Sequence, residues 1–270
     1  MGPAGTEGRA DEFGRCLCVP DVGRERRMRS FLTIWRRELA ACFLSPVAYV
    51  TLVIYLAMEG WIFLQSAIHN EGGHETLEVL LFISMLFFVP ILATVICMRL
   101  FAEEQRLGTI ETLMTAPVTE TAVVMGKYAG ALTFMWLILF PAVGYLFIVA
   151  WLGPGVASLD LGNVAGGCVM LALISASSVA IGLFVSLLTR NQIIAAICIF
   201  CAICAPFFLK HLALMLPVGA DGLVETLAIE EQVLDYARGS MDIRPAVLHL
   251  SSAAFFLFTS VAVLQSRRWK

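Results

Sequence analysis

The sequence predicts an all-α integral membrane fold. It has six transmembrane helices, an N-terminal amphipathic helix lying in the interface, and a short cytoplasmic helix between spans two and three. Three observations carry this reading. Hydrophobic residues make up 59% of the 270 residues and charged residues only 14%, with a mean hydropathy of +0.85. A soluble domain carries about a quarter charged residues, so this chain has too few charges to face water. Six apolar runs cover 46–67, 77–98, 128–152, 163–188, 193–216 and 246–264, each near the ~20 residues that a membrane helix needs. Finally, lysine and arginine segregate by side. Arg24 to Arg37, Arg99, Arg106, Lys127, Arg190, Arg267 and Lys270 fall on one side. Only Arg238 and Arg244 fall on the other, with Lys210 inside span five near that end. Positive charge is retained inside, so both termini are expected in the cytoplasm.

Residues 1–27 read as a disordered tail, rich in Gly, Arg and acidic residues. No apolar core follows its arginines until Pro46, so no signal peptide is expected. Cys16 and Cys18 lack further ligands for a metal. A patterned segment begins directly after Met28, which makes Met28 a candidate native start and 28–270 the structured domain. From Arg29 to Leu44, Leu32, Trp35, Leu39, Cys42 and Phe43 form an apolar stripe opposite Thr33, Arg36, Arg37 and Ala40. A basic amphipathic helix ahead of a span should lie in the interface with Trp35 as its anchor. Ser45-Pro46 ends it.

Span two runs into the most charged part of the chain. The expectation is a helix continuing from the membrane through Leu107, ended by Gly108 at a left-handed position. Thr109 then caps a second short helix, Glu111 sits in its first turn, and Pro117 stops it. Ile110, Leu113 and Met114 would share one apolar face, with Glu103, Glu104, Arg106 and Glu111 as a polar collar. Such a knob outside the bilayer suits docking into a groove of another protein.

Spans three and four are parted by Gly153-Pro154-Gly155, a turn signal, and spans four and five only by 189–192. The loop 217–245 is expected to hold a short surface helix around Leu227 to Tyr236. Pro90, Pro141 and Pro206 permit kinks inside spans two, three and five. Span four is rich in small residues, with Gly166, Gly167, Ser175, Ser177, Ser178 and Gly182 suited to close helix contact. Cys198, Cys201 and Cys204 recur every three residues in an apolar helix and read as packing residues at a helix–helix contact. No metal site is expected.

Glu59 in span one and Lys210 in span five lie at matching depths, about 12 Å and 9 Å from their outer ends at ~1.5 Å per residue. A charge facing lipid is costly, so the two are expected to pair or to line the outer part of a substrate path.

Several classes are excluded. No basic stripe with interleaved aromatics points to nucleic acid. No P-loop is present, since Gly126-Lys127 has Thr121 where a glycine is needed and Tyr128 after the lysine. An intramembrane serine hydrolase needs a Ser–His pair. His69, His74, His211 and His249 all fall in the outer half or outer loops, with no nucleophile-elbow motif beside them.

The stretch Arg99-x-Phe101-x-Glu103-Glu104-x-Arg106-x-Gly108-Thr109-Ile110-Glu111-x-Leu113, with Pro117-Val118 and then Gly126-Lys127, resembles the cytoplasmic signature of ABC-2 type transporter permeases. Arg37-Glu38-Leu39 through Ser45-Pro46-x-Ala48-Tyr49-Val50 resembles that family's entry to span one. Residues 181–192 resemble its turn after span four, and Arg267-Arg268-Trp269 its ending. The resemblance runs over about 28–270 and is to the gliding-motility and nitrous-oxide-reductase-accessory type. It implies the membrane subunit of an exporter in the inner (cytoplasmic) membrane. A second permease chain, identical or different, would complete the membrane unit. Separate ATPase chains would hold ATP and Mg, and this chain would bind no cofactor. It also makes the elbow after span two a coupling helix. An ATPase-independent carrier or channel, or an intramembrane enzyme, are the other readings.

The orientation is testable. Single cysteines at Gly72, Ser158 and Gly239 should react with an impermeant thiol reagent in intact cells, and those at Gln105 and Lys270 should not. Labelling of Gln105 from outside would reverse the topology.

Overall fold

The computed structural model describes residues 19–69, 76–108, 119–152, 159–213 and 228–267. Their side chains are described from residue 30, and in the last two stretches up to 208 and 266. The described residues form helices and no strands. In chain order these are α1 (Val19–Leu44), α2 (Pro46–His69), α3 (Leu77–Cys97) and α4 (Ala102–Leu107), then α5 (Glu120–Leu139), a 3-10 turn (Phe140–Val143) and α6 (Gly144–Leu152), then α7 (Leu161–Leu188), α8 (Gln192–Ala213), α9 (Ile229–Ala237) and α10 (Ile243–Arg267). Five stretches are long and apolar enough to cross a membrane: α2, α3 with α4, α5 to α6, α7 and α10. The sixth expected span is α8. Its described side chains, Gln192–Phe208, fall short of that length.

The bundle is built around α3 and α7. Helix α3 is apolar on every side, and a helix of that kind belongs in an interior. Val79, Leu81, Phe82, Met85, Val89 and Ala93 are all buried. Helix α7 reaches it through small residues. A Cβ on Gly167 would lie 2.3 Å from the Phe82 ring, and one on Gly182 would lie 2.7 Å from Cys97. Glycine therefore sets how closely the two central helices approach. At the rim, α2 leaves Val53, Ile54, Met58, Trp61 and Leu64 exposed, and α10 leaves Phe255 and Phe258. Apolar surface of this extent belongs against lipid or another chain rather than water.

Five sequence expectations change. Helix α1 begins at Val19, so part of the stretch read as a tail is helical. Its buried face is rotated from the expected stripe. Ile34 is buried against α5, whereas Leu32 and Phe43 are exposed, and the Trp35 indole donates to Thr133 Oγ1 at 3.3 Å. The cause is the glycine pair on α5. A Cβ on Gly126 would lie 2.8 Å from Ile34, and one on Gly130 2.8 Å from Glu38 Cβ, so α1 seats directly on these gaps.

Span three starts at Glu120, not Tyr128, which places Lys127 inside the bundle. Cys198 and Cys201 are exposed, and Ala195, Ile199 and Ile203 make the buried face of α8. Lastly, α9 is no surface helix. Gln232, Val233, Tyr236 and Ala237 are buried, and the Tyr236 carbonyl would lie 2.4 Å from a Cβ on Gly166. Helix α9 thus packs against both α3 and α7.

Gly130→Leu should lever α1 off α5, since overpacking costs ~1–3 kcal/mol. A lower thermal midpoint and faster thiol labelling of half-buried Cys42 are expected. An unchanged midpoint with unchanged labelling would show that α1 does not depend on this gap.

Candidate functional site

The expected continuous helix through Leu107 is broken. Helix α3 ends at Cys97, a turn covers Met98 to Phe101, and α4 starts at Ala102. A break of this kind exposes backbone groups that a continuous helix would pair, and buried ones need partners. Ser186 on α7 accepts from the N–H groups of Phe101 and Ala102, at 3.1 and 3.2 Å. It caps α4 from another helix. Gln105 Nε2 donates to the Leu187 carbonyl at 2.8 Å, a second tie to α7.

The carbonyl of Leu100 is taken by Lys127. This lysine is 1% exposed and sits on the first turns of α5. Its ammonium has three N–H donors and three acceptors: the Leu100 carbonyl at 2.9 Å, Glu104 Oε1 at 2.8 Å and Glu38 Oε1 at 3.1 Å. The Phe101 ring centroid lies 5.2 Å from the ammonium, within cation–π range. Arg37 reaches the same two carboxylates at 3.1 and 3.4 Å. Two cations and two anions thus make a neutral cluster joining α1, α4 and α5, with Ser186 bringing in α7.

The sequence of the chain matches the family described as ABC-2 family transporter protein over residues 38–218. The chain belongs to the ABC-2 transporter family. It is the membrane-spanning, permease part of an ABC transporter. No curated relative matches it. The matched region contains Glu38, Glu104, Lys127 and Ser186, the whole Lys127 cluster apart from Arg37.

Of the residues singled out in this permease, Glu103, Glu104 and Arg106 lie on α4, and Gly108 ends it at φ 71°, the left-handed position expected of it. Only Glu104 belongs to the cluster, and Arg106 is exposed. Thr109, Ile110, Glu111, Leu113, Met114 and Pro117 lie outside the described residues, as does the side chain of Lys210. Glu59 is fully buried, on a stripe with Tyr55 and Phe63 that turns α2 toward its neighbours. Its Oε1 accepts from Ser84 on α3 at 2.6 Å, and its Oε2 has no hydrogen-bond partner. It therefore faces protein.

Four members of the Lys127 cluster, namely Arg37, Glu38, Lys127 and Ser186, are not among the site residues that the sequence suggests. In the sequence all four fall within stretches that resemble the family's motifs, with no sign that they meet. The signal was present in Gly126-Lys127 and Gly130, a lysine flanked by glycines on a buried helix.

The Ser–His pair that the sequence did not suggest also exists. Ser177 Oγ lies 2.9 Å from His249 Nδ1, and His249 Nε2 lies 3.0 Å from Gln232 Oε1. The three come from α7, α10 and α9. Ser177 also lies 2.9 Å from the Ile174 carbonyl, in mid-helix, where backbone N–H groups are spent on the helix itself. The array ties α9 to two spans.

Lys127→Met should cost ~3–5 kcal/mol, because it strands the Leu100 carbonyl and leaves two carboxylates to the half-exposed Arg37 alone. Arg37→Gln should cost about 0–1 kcal/mol, since the Arg37 side chain is 56% exposed and water screens it. Thermal unfolding in detergent measures both. Equal losses would contradict the central place given to Lys127.

Proposed function

We propose that this permease is one half of the membrane unit of an exporter, driven by a separate ATPase chain that docks beneath α4. A second copy or a related chain completes the unit in the inner membrane, with both termini cytoplasmic. The segment 109–117 directly follows Gly108. Ile110, Leu113 and Met114 are proposed to enter a groove of the ATPase, with Glu103, Glu104, Arg106 and Glu111 around them. ATP and Mg would sit on that partner.

The observation that supports this reading is the cluster around Lys127. A push on the segment after Gly108 acts on α4. From there it passes to α1 through Glu38, to α5 through Lys127 and to α7 through Ser186 and Leu187. The Lys127 contacts are short and charge-assisted, the kind that hold two elements as one body, and the ties to Ser186 and Leu187 are neutral hydrogen bonds that add to them. The substrate path is proposed to run along α2, with Glu59 and Lys210 lining its outer part when α2 moves from α3.

Co-expression with a candidate ATPase chain tests the proposal. The wild type should co-purify with it and stimulate its hydrolysis. Leu113→Asp should abolish co-purification, since an unpaired charge in an apolar groove costs ~3–5 kcal/mol. Glu104→Gln should keep the ATPase bound but lower the stimulation. Transport by the purified chain without any ATPase would favour a carrier. Retention of both properties by Leu113→Asp would remove the docking assignment.

A further inference from the structure

Beside the Lys127 cluster lies a cavity of about 430 Å³, walled by α1, the first turns of α2, the end of α3, and α4. That volume falls within the ~300–1,000 Å³ usual for small-molecule sites. Its two ends differ in chemistry. Toward α4 it is charged, lined by Arg37, Glu38, Arg99, Glu103, Glu104 and Lys127. Toward the bilayer it is apolar, lined by Val47, Ala48, Val95, Ile96 and Phe134.

The six charges are three of each sign, and four of them are already used. Lys127 and Arg37 hold Glu38 and Glu104. Arg99 and Glu103 remain. Both line the cavity and both are partly buried, yet neither forms an ion pair or a side-chain hydrogen bond among the described residues, and they do not pair with each other. Arg99 Nε is fully buried without a partner. Burying a charged donor without a partner is unfavourable, so the geometry calls for a ligand that brings an anion to Arg99 and a cation to Glu103.

A water-soluble zwitterion would leave the apolar wall unsatisfied. An anionic lipid headgroup would satisfy Arg99 but press against Glu103. A quaternary ammonium has no N–H to donate to the Glu103 carboxylate. We propose that the cavity binds a phospholipid whose headgroup carries a phosphate and a primary ammonium, with Arg99 on the phosphate and Glu103 on the ammonium. Its acyl chains leave along the wall between α2 and α3 into the leaflet next to the cluster. A lipid held there touches α4 and α2 together. This inference does not depend on the proposed ATPase partner.

Native mass spectrometry of the full chain, purified in detergent and titrated with lipids of identical acyl chains, tests it. The wild type should retain phosphatidylethanolamine about tenfold more tightly than phosphatidylcholine or phosphatidylglycerol. Arg99→Gln should lower phosphatidylethanolamine retention by about tenfold. Glu103→Gln should also lower it and should raise retention of phosphatidylglycerol, a gain that a misfolded chain cannot produce. Equal retention of the three lipids by the wild type would overturn the proposal. So would unchanged phosphatidylethanolamine retention in either variant. Displacement of the lipid by inorganic phosphate alone would assign a free-anion site instead and would equally overturn it.

Discussion

A lysine ammonium taken out of water must find an acceptor for each of its three hydrogens and a counter-charge close by. Around Lys127 that requirement is met by three elements at once: α1 through Glu38, α4 through Glu104, and the turn after α3 through the Leu100 carbonyl. Much of this end of the bundle follows from it. The glycines at 126 and 130 are needed so that α1 comes close enough for Glu38 to arrive. The break between α3 and α4 is needed so that the Leu100 carbonyl is free to accept. The break in turn exposes the N–H groups of Phe101 and Ala102, and Ser186 absorbs them. Each feature is costly alone and satisfied only together.

The opposite end is held by a second polar tie of different character. Ser177, His249 and Gln232 form a buried chain in which α9 is attached to α7 and α10. Between the two ties, contacts are mainly apolar and set by small residues on α7. Packing between apolar helices in lipid is weakly directional, because lipid tails are as apolar as the side chains they replace. The polar ties at either end, with single hydrogen bonds between them such as Trp136 to Ser175 and Ser84 to Glu59, add the direction that apolar packing lacks.

Composition and periodicity were enough to determine that the chain is all-α, that it lies in a membrane, and roughly where its apolar helices fall. Lipid leaves a helix no other way to satisfy its backbone, so length and hydropathy alone settle these. Gly108 was legible too, because only glycine adopts a left-handed turn without strain. The order of short motifs along the chain was enough to suggest the family. What the sequence left open was direction. Which face of α1 is buried, what the Trp35 indole donates to, whether Cys198 meets a helix or the outside, and whether Gln232 lies on the surface or inside all depend on how helices are rotated against each other. In a chain apolar on most faces, periodicity carries little of that information. The tertiary structure alone brought Lys127 to Glu38 across 89 residues and Ser177 to His249 across 72. Those pairings are fixed by where helices cross, and nothing in the spacing of residues along one helix records its crossing with another.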